Sequence, residues 1–203
     1  MTNHRKRKSK PLFLVKKILL SVISVLAFLH SNAQKTIHCE IKTSAGILEV
    51  GLYPEKAPQT VANFLKYVDS KLYDGTAFFR VCTPENEMDR TVRIEVIQGG
   101  EVPAQKEFAP VPIETTNQTG IRHRNGTLSM ARDLPNSATS SFFICIGKQP
   151  ELDFSGKRNP DGLGFAAFGK VVRGMRVVRK IQARENKDQY LIQPVKIYSV
   201  RRK

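Results

Sequence analysis

The sequence has only three cysteines and four histidines among its 203 residues, and both scarcities exclude classes of protein. Cys39, Cys82 and Cys145 lack the spacing of a metal site or of a disulfide scaffold. In an oxidising compartment one pair could bridge, but the sequence does not say which pair. The histidines are too few and too dispersed along the chain to indicate a zinc site or a catalytic triad.

Acidic residues are scarce as well. The chain has 18 Asp and Glu against 33 Lys and Arg, a net charge of +15, and seven of the basic residues lie within residues 1–34. Apart from Arg201-Arg202-Lys203, the remaining basic residues are scattered and are not interleaved with aromatic residues. This pattern is typical of a solvated surface, and it predicts no nucleic-acid partner.

Two enzyme signatures are missing or misplaced, and internal repeats are absent. No G-x-S-x-G elbow of a serine hydrolase occurs in the sequence. The pattern Gly162-x-Gly164-x-x-Ala167 matches a dinucleotide-binding fingerprint in its letters. It precedes a predicted strand instead of joining a strand to a helix, so we reject it.

The N-terminal segment has the three parts of a secretory signal. Basic residues lead into the apolar run Ile18–Leu29, and Ser31-Asn32-Ala33 places small residues where a signal peptidase cleaves. The apolar run is shorter than the roughly 20 residues of a membrane-spanning helix. We therefore predict a signal peptide over residues 1–33 and one domain over residues 34–203, in a periplasmic or secreted protein.

An uncleaved anchor is the alternative for this segment. Leu12–Val15 would extend the apolar run if Lys16 and Lys17 reached back to the membrane surface. The domain would then face the periplasm from the membrane. A membrane contact is expected only in that case.

Alternation and turn signals predict a mainly β domain with two helices. Strands are predicted at Thr36–Thr43, Ile47–Tyr53, Phe78–Cys82, Val92–Gln98, Thr127–Arg132, Phe142–Ile146, Phe165–Val172 and Val195–Val200. Helices are predicted at Pro58–Asp69 and, opening near Gly174, within Val171–Ile181. Such a set of elements favours an antiparallel barrel with helices at its ends.

Two of the strands and two of the loops carry more specific expectations. Thr127–Arg132 alternates like a half-buried strand, whereas the continuous apolar run Phe142–Ile146 indicates burial on both faces. Thr83–Thr91 is polar and has no period. Val102–Asn125 is long and irregular, and a loop of this length in a compact domain has a functional or packing reason.

Six segments, taken in order, resemble the cyclophilin-type peptidyl-prolyl isomerases. They are FFRV, VIQGG, GTLSMAR, SATSSFFICIG, LD and FAAFGKVVRGM, and the resemblance covers Thr36 to Arg202. It implies a closed, eight-stranded antiparallel barrel with a helix at each end. It also implies a monomeric isomerase that acts on X-Pro bonds of folding polypeptides and needs no metal or other cofactor.

The resemblance assigns roles to ten residues. Arg80 matches the family's catalytic arginine, and Gln98 matches the glutamine that bonds the substrate backbone and orients that arginine. The other eight match substrate-binding positions: Phe79, Val96, Ala131, Arg132, Ser141, Phe143, Leu152 and Phe165. Without the resemblance, Phe143 and Leu152 would be interpreted as ordinary core residues.

Five positions depart from the family pattern. Phe79 and Phe165 replace histidines of many members, and Val96 replaces a methionine-type pocket residue. Glu95 stands where a phenylalanine often packs, and Glu151 where some members have tryptophan. The two acidic rim residues support an alternative function, a cyclophilin-fold peptide-binding or chaperone module with little catalysis.

Overall fold

The eight predicted strands and one unpredicted strand of two residues are present in the computed structural model, which describes Met1 and residues 36–203. The strands are β1 (Ile37–Thr43), β2 (Gly46–Leu52), β3 (Ala77–Cys82), β4 (Val96–Gly99), β5 (Thr127–Met130), β6 (Phe142–Cys145), β7 (Ala167–Arg173), β8 (Asn186–Lys187) and β9 (Tyr190–Arg202). The pairings are antiparallel in the order β1, β2, β7, β5, β6, β4, β3, β9, and β9 also pairs with β1. The predicted closed, eight-stranded antiparallel barrel is confirmed. The predicted signal segment, apart from Met1, lies outside the described residues.

Side chains that alternate along the strands fill the barrel with aromatic rings. Phe142 of β6 meets Phe78 of β3 edge-on, with ring centroids 5.8 Å apart and planes at 81°. Phe64 lies between Phe142 (5.4 Å, 87°) and Phe168 of β7 (5.2 Å, 45°). Edge-to-face pairs of this kind are favourable beyond the area that they bury.

Two helices cover the core as predicted. α1 (Pro58–Asp69) begins with a proline, and its stripe of Val61, Phe64, Leu65 and Val68 is buried. Proline suits the first turn because that turn's N–H groups have no partner within the helix. The other predicted helix, Met175–Gln182, buries Val178 and Ile181. No helix in the described part of the chain has the length and apolar character needed to cross a bilayer.

A third helix, α2 (Thr116–Thr119), has one turn and was not predicted, so that Met175–Gln182 becomes α3. Four residues are too few to show a helical period in the sequence. The turn is held by a capping box between Thr115 and Gln118, and Gly120 ends it with a φ of 70°. Local hydrogen bonds therefore stabilise this turn, and it lacks the apolar stripe by which a longer helix is predicted.

Two predicted strand boundaries are wrong for physical reasons. β4 begins at Val96 and not at Val92, because side chains bond the preceding backbone: Glu87 accepts from the Ile94 N–H, and Arg158 donates to the Val92 carbonyl. β9 begins at Tyr190 and not at Val195. The register of its pairing with β3 shifts between Tyr190 and Val195. Pro194 lies within this irregular stretch, where a residue without an N–H group can be accommodated.

All three cysteines of the chain are buried and free. Cys82 and Cys145 both pair with Val96, from opposite sides. An intervening strand therefore separates them by roughly 10 Å, which is too far for a disulfide. Burial raises the pKa of the Cys39 and Cys82 thiols to about 11. The thiols are therefore protonated near neutral pH and poor nucleophiles.

The long segment between β4 and β5 has a packing reason in Glu114. Its buried carboxylate accepts from the N–H groups of Gln59 (3.1 Å) and Thr60 (2.8 Å), and from the Thr60 hydroxyl (2.6 Å). Ala57, at the N-cap of α1, offers no side-chain acceptor. A residue 54 positions along the chain thus supplies the cap and a negative charge at the positive end of the helix.

Replacing Glu114 should therefore destabilise the domain. We expect Glu114→Ala to lower the free energy of unfolding by about 1–3 kcal/mol, because the buried N–H and hydroxyl of Thr60 and the N–H of Gln59 lose their acceptor. Glu114→Gln should lower it less, since one acceptor oxygen remains. Urea unfolding followed by circular dichroism measures both, with Glu185→Ala, at an exposed carboxylate, as control. Equal stability of Glu114→Ala and the control would contradict the capping role.

Candidate active site

The outward side chains of β4 and β6 form a second, smaller apolar cluster on the outside of the barrel. Ile97 and Ile144 point into the main core, whereas their neighbours Val96, Phe143 and Cys145 point outward. Leu152, Phe165, Cys82 and Ile94 also belong to this cluster, and the rings of Phe143 and Phe165 meet edge-on at 5.4 Å. The prediction that β6 is buried on both faces is thereby confirmed. The second face is the floor of an open groove of about 840 Å³.

Arg80 lies beside this apolar floor on β3, where it pairs in register with Gln98 of β4. Its Nη1 donates to the Gln98 Oε1 at 2.8 Å, and its Nε donates to the Gln189 Oε1 at 2.9 Å. Nη2 also donates to that Gln189 oxygen. The guanidinium is therefore held along two of its edges, and three of its five N–H groups are used. The guanidinium remains a charged donor at the edge of the apolar slot, which is formed by Val96, Phe143, Leu152 and Phe165.

Gln98 extends this arrangement across the groove. Its Oε1 accepts from Arg80, and its Nε2 donates to the Ser141 hydroxyl at 3.2 Å. The hydroxyl in turn donates to the Gly99 carbonyl at 3.4 Å. The orientation of the Gln98 amide is thus determined from both ends, with its oxygen toward the guanidinium.

The groove brings together all ten residues named from the sequence. Phe79 stacks on Tyr190, with centroids 6.3 Å apart and planes at 21°. Ala131 donates its backbone N–H to the Ser141 carbonyl at 2.9 Å, which joins the two walls. Their roles toward a substrate stay predictions, because their placement alone does not test them.

Arg132 differs from the other predicted residues because its guanidinium is occupied. It binds Asp161 through two hydrogen bonds of 2.7 and 2.8 Å, donates to the Gly164 carbonyl and lies over the Phe165 ring. The hydrogen bonds from Arg132 hold the pKa of Asp161 below its usual range. This side chain anchors the loop that carries Asp161, and it leaves the backbone of residue 132 to line the groove.

The sequence did not identify several residues of the groove and its support. Gln189 bonds Arg80 although 109 positions separate the two residues in the chain. Ile94 extends the apolar floor, and Arg158 reaches the groove from a loop. Gln189 and Arg158 lie in polar or irregular segments with no period or motif, so no pattern could have located them. Ile94 lies within the predicted strand Val92–Gln98, but nothing in the sequence marked it as a residue of the site.

Ser129, His123 and Asp153 lie beneath the apolar floor, and their arrangement differs from two predictions made from the sequence. Ser129 is fully buried, so β5 is not the predicted half-buried strand. His123 lies between Asp153 and Ser129, with Nδ1 2.8 Å from Oδ1 and Nε2 2.9 Å from Oγ. From the sequence, the histidines are too few and too dispersed to indicate a catalytic triad, yet His123 joins Asp153 and Ser129 in a triad-like series of hydrogen bonds. Ser129 and the His123 ring are buried, so these three residues present no reachable nucleophile. The His123 ring stacks on Phe143, with centroids 6.0 Å apart.

The charge of Asp153, which is hydrogen-bonded to His123, makes the free energy of unfolding depend on pH. Burial acts to raise the pKa of Asp153, but the side chain and backbone N–H of His123, with the charge of Arg122, outweigh it and lower the pKa. A carboxyl whose folded pKa lies below its unfolded value of about 3.9 stabilises the fold above that pH. The contribution is lost as the pH falls through the lowered value.

We expect the free energy of unfolding to fall from about pH 5 downward, less steeply in Asp153→Asn than in the wild type. Urea unfolding between pH 2.5 and 7 measures the slope, with Asp133→Asn, at an exposed carboxylate, as control. The other carboxylates of lowered pKa remain in both proteins. The same slope in Asp153→Asn as in the control would contradict this assignment.

Comparisons with known proteins agree with this geometry. Residues 38–202 match the family model described as "Cyclophilin type peptidyl-prolyl cis-trans isomerase/CLD". The chain belongs to this family. It is 40% identical over 174 residues to the peptidyl-prolyl cis-trans isomerase A of Dickeya dadantii (82% of this chain, 84% of that protein). It is 38% identical over 143 residues to the isomerase B of Escherichia coli (69% and 80%).

Solved structures show the same fold. A cyclophilin-type peptidyl-prolyl cis-trans isomerase of Cryptosporidium parvum superposes with a TM-score of 0.65 at 22% identity, over 83% of this chain and 98% of that one. This likeness shows the fold; the family model and the curated relatives establish the chain as a cyclophilin-type prolyl isomerase that acts on proline-containing polypeptides. Within the described ranges, no group of three or more His, Cys, Asp or Glu is placed to hold a metal ion.

The two acidic departures of this cyclophilin do not line the groove. The Glu95 carboxylate lies 3.4 Å from the Gln182 Nε2 of α3. The Glu151 carboxylate accepts from the Lys157 N–H at 2.8 Å. Neither is among the groove-lining residues, whereas the apolar departures Phe79, Val96 and Phe165 are. The slot keeps its apolar character.

Proposed function

We propose that this cyclophilin is an exported, monomeric enzyme that assists the folding of polypeptides outside the cytoplasm, with Arg80 as its catalytic residue. In this proposal the proline ring enters the slot of Val96, Phe143, Leu152 and Phe165. Gln98 and the wall around Ala131 and Ser141 bind the substrate backbone. The observation that carries the proposal is the guanidinium of Arg80, held by two glutamines at the edge of an apolar slot.

The chemistry requires only that the twisted amide be stabilised. Rotation about a peptide bond meets a barrier of about 18–20 kcal/mol because resonance makes the C–N bond partly double. In the twisted state the nitrogen lone pair is no longer delocalised, and it can accept a hydrogen bond. A guanidinium N–H directed at that nitrogen stabilises this state more than the planar cis or trans state, which is the condition for faster interconversion.

The slot and the glutamine act on the two sides of the rotating bond. The apolar floor holds the proline ring, and Gln98 keeps Arg80 in place through its Oε1. Fixing one side of the bond lets the preceding carbonyl turn alone. Each tenfold increase in rate corresponds to about 1.4 kcal/mol of added transition-state stabilisation.

The alternative, a binding or chaperone module with little catalysis, rested on Glu95 and Glu151. Both carboxylates make hydrogen bonds outside the groove. The pair of Arg80 and Gln98 is intact and hydrogen-bonded. We therefore retain Arg80 as the proposed catalytic residue and leave the module as an outcome of the test.

Replacing Arg80 tests the proposal directly. We expect Arg80→Ala to lower kcat/KM by two to three powers of ten, about 3–4 kcal/mol of transition-state stabilisation, and to weaken peptide binding far less. Arg80→Lys should recover little, because an ammonium keeps the charge but loses the planar set of donors. A protease-coupled assay on a proline peptide measures the rate, and calorimetry measures the affinity.

Arg90→Ala is the matched control, since Arg90 lines the same groove and is exposed. Circular dichroism checks that each variant is folded. A folded Arg80→Ala protein with an unchanged rate would show that Arg80 is not catalytic. No activity in the wild type, with retained peptide binding, would favour the module.

Export is the part of the proposal that rests on residues 1–33. If the segment is a cleaved signal, the mature protein should begin at or near Gln34 and be recovered in the periplasmic or secreted fraction. Intact mass and N-terminal sequencing of protein made in a bacterial host measure this. Full-length chain in the membrane fraction would instead establish the anchored form.

A further inference from the structure

The polar segment between β3 and β4 contains one buried charge, Glu87, which is 1% exposed. Its carboxylate accepts from both Nη atoms of Arg158, at 2.8 and 2.6 Å, and from the Ile94 N–H at 2.8 Å. It also accepts from the Gln189 Nε2 at 3.1 Å. A buried carboxylate persists when it is paired and hydrogen-bonded in this way. All the partners of Glu87 are donors, and one of them leads to the active site.

Gln189 connects this buried charge to the catalytic arginine. Its amide nitrogen faces Glu87, and its Oε1 accepts from Nε and Nη2 of Arg80. Its backbone carbonyl accepts from the Val81 N–H at 2.8 Å, which fixes the residue beside β3. With only 9% of its surface exposed, Gln189 cannot readily exchange these partners for water.

We propose that Glu87 is a positioning residue, which fixes the orientation of the Gln189 amide so that its oxygen holds the guanidinium of Arg80. The proposal rests on the catalytic role of Arg80. An ionised carboxylate only accepts hydrogen bonds, and a guanidinium only donates them. An amide between the two satisfies both in one orientation. The flipped amide would place its oxygen against Glu87 and its NH₂ group against Arg80, and both interactions would be lost.

The charge on Glu87 is what makes this orientation exclusive. Burial acts to raise the pKa of Glu87, but the hydrogen bonds from Arg158 and the Ile94 N–H, with the charge of Arg158, outweigh it and lower the pKa. Glu87 therefore stays an acceptor at neutral pH. A neutral glutamine in its place could donate as well as accept, so position 87 would no longer exclude the flipped Gln189 amide and only Arg80 would oppose it.

The orientation of Gln189 affects catalysis because Gln189 is one of the two residues that hold the Arg80 guanidinium. Gln98 bonds Nη1, and Gln189 bonds Nε and Nη2. Without the second contact the guanidinium can turn about the first. Displacements of about 1 Å in a catalytic group can cost as much as a hundredfold in rate. Glu87, which does not line the groove, thereby contributes to catalysis without itself touching the substrate.

The test compares Glu87→Gln, Gln189→Ala, the double variant and each change in an Arg80→Ala background. We expect Glu87→Gln and Gln189→Ala each to lower kcat by roughly fivefold to twentyfold with KM changed less than about twofold. The double variant should be no worse than the more affected single variant, because both act through one contact. In the Arg80→Ala background neither change should lower the rate further.

A spectroscopic readout separates positioning from a general loss of stability. The ¹⁵Nε–H resonance of Arg80, assigned by its disappearance in Arg80→Ala, should shift and exchange faster with water in Glu87→Gln and Gln189→Ala. Gln182→Ala is the matched control: that amide donates to the Cys82 carbonyl at 3.0 Å, on the same strand but outside the groove. It should leave both the resonance and kcat close to wild type.

If Glu87→Gln does not fold, the double change Glu87→Met and Arg158→Met removes both buried charges and leaves neither unpaired. It should reproduce the loss of kcat and the shifted resonance. An unchanged resonance in a folded Glu87 variant would overturn the proposal, whether or not kcat falls. Wild-type activity in Arg80→Ala would instead overturn the catalytic role of Arg80, and the resonance would still report whether Glu87 positions it.

Discussion

The site depends on strands that are buried on both faces. A strand directs successive side chains to opposite sides, so β4 and β6 each contribute one set of residues to the barrel core and another to the slot. The floor of the slot is therefore as rigid as the core, because the same backbone positions both. Phe142 and Phe143 illustrate this: one packs among the core rings and its neighbour forms the floor.

Local pattern was sufficient to predict most of the barrel, and the resemblance to a known family was sufficient to name part of the groove. Alternation located the strands, one helical stripe located α1, and the ordered motifs around Arg80, Gln98 and Phe143 named ten residues that meet in space. These signals work because each depends on a few consecutive residues. The boundaries of β4 and β9 were missed where a distant side chain, or a register shift around Pro194, determines the pairing.

The unpredicted part of the site consists of contacts between residues far apart in sequence. Gln189 and Arg80 are 109 positions apart, and Glu87 and Arg158 are 71 apart. Nothing in the composition or periodicity of the sequence around these residues indicates that they are in contact. The same holds for Glu114 at the start of α1 and for the chain of Asp153, His123 and Ser129. In each case a charged or polar side chain satisfies buried groups, and burial is known only once the chain is folded.

Closure of the barrel has a consequence for an enzyme whose substrates are polypeptides. An open sheet ends in a strand with unpaired N–H and C=O groups, which can recruit an extended chain and begin aggregation. Here the pairing of β1 with β9 removes that free edge from the barrel, and the added strand β8 is only two residues long. Unfolded chains can then meet the enzyme in its groove without being drawn into its sheet, so a catalyst of folding does not itself become a template for misassembly.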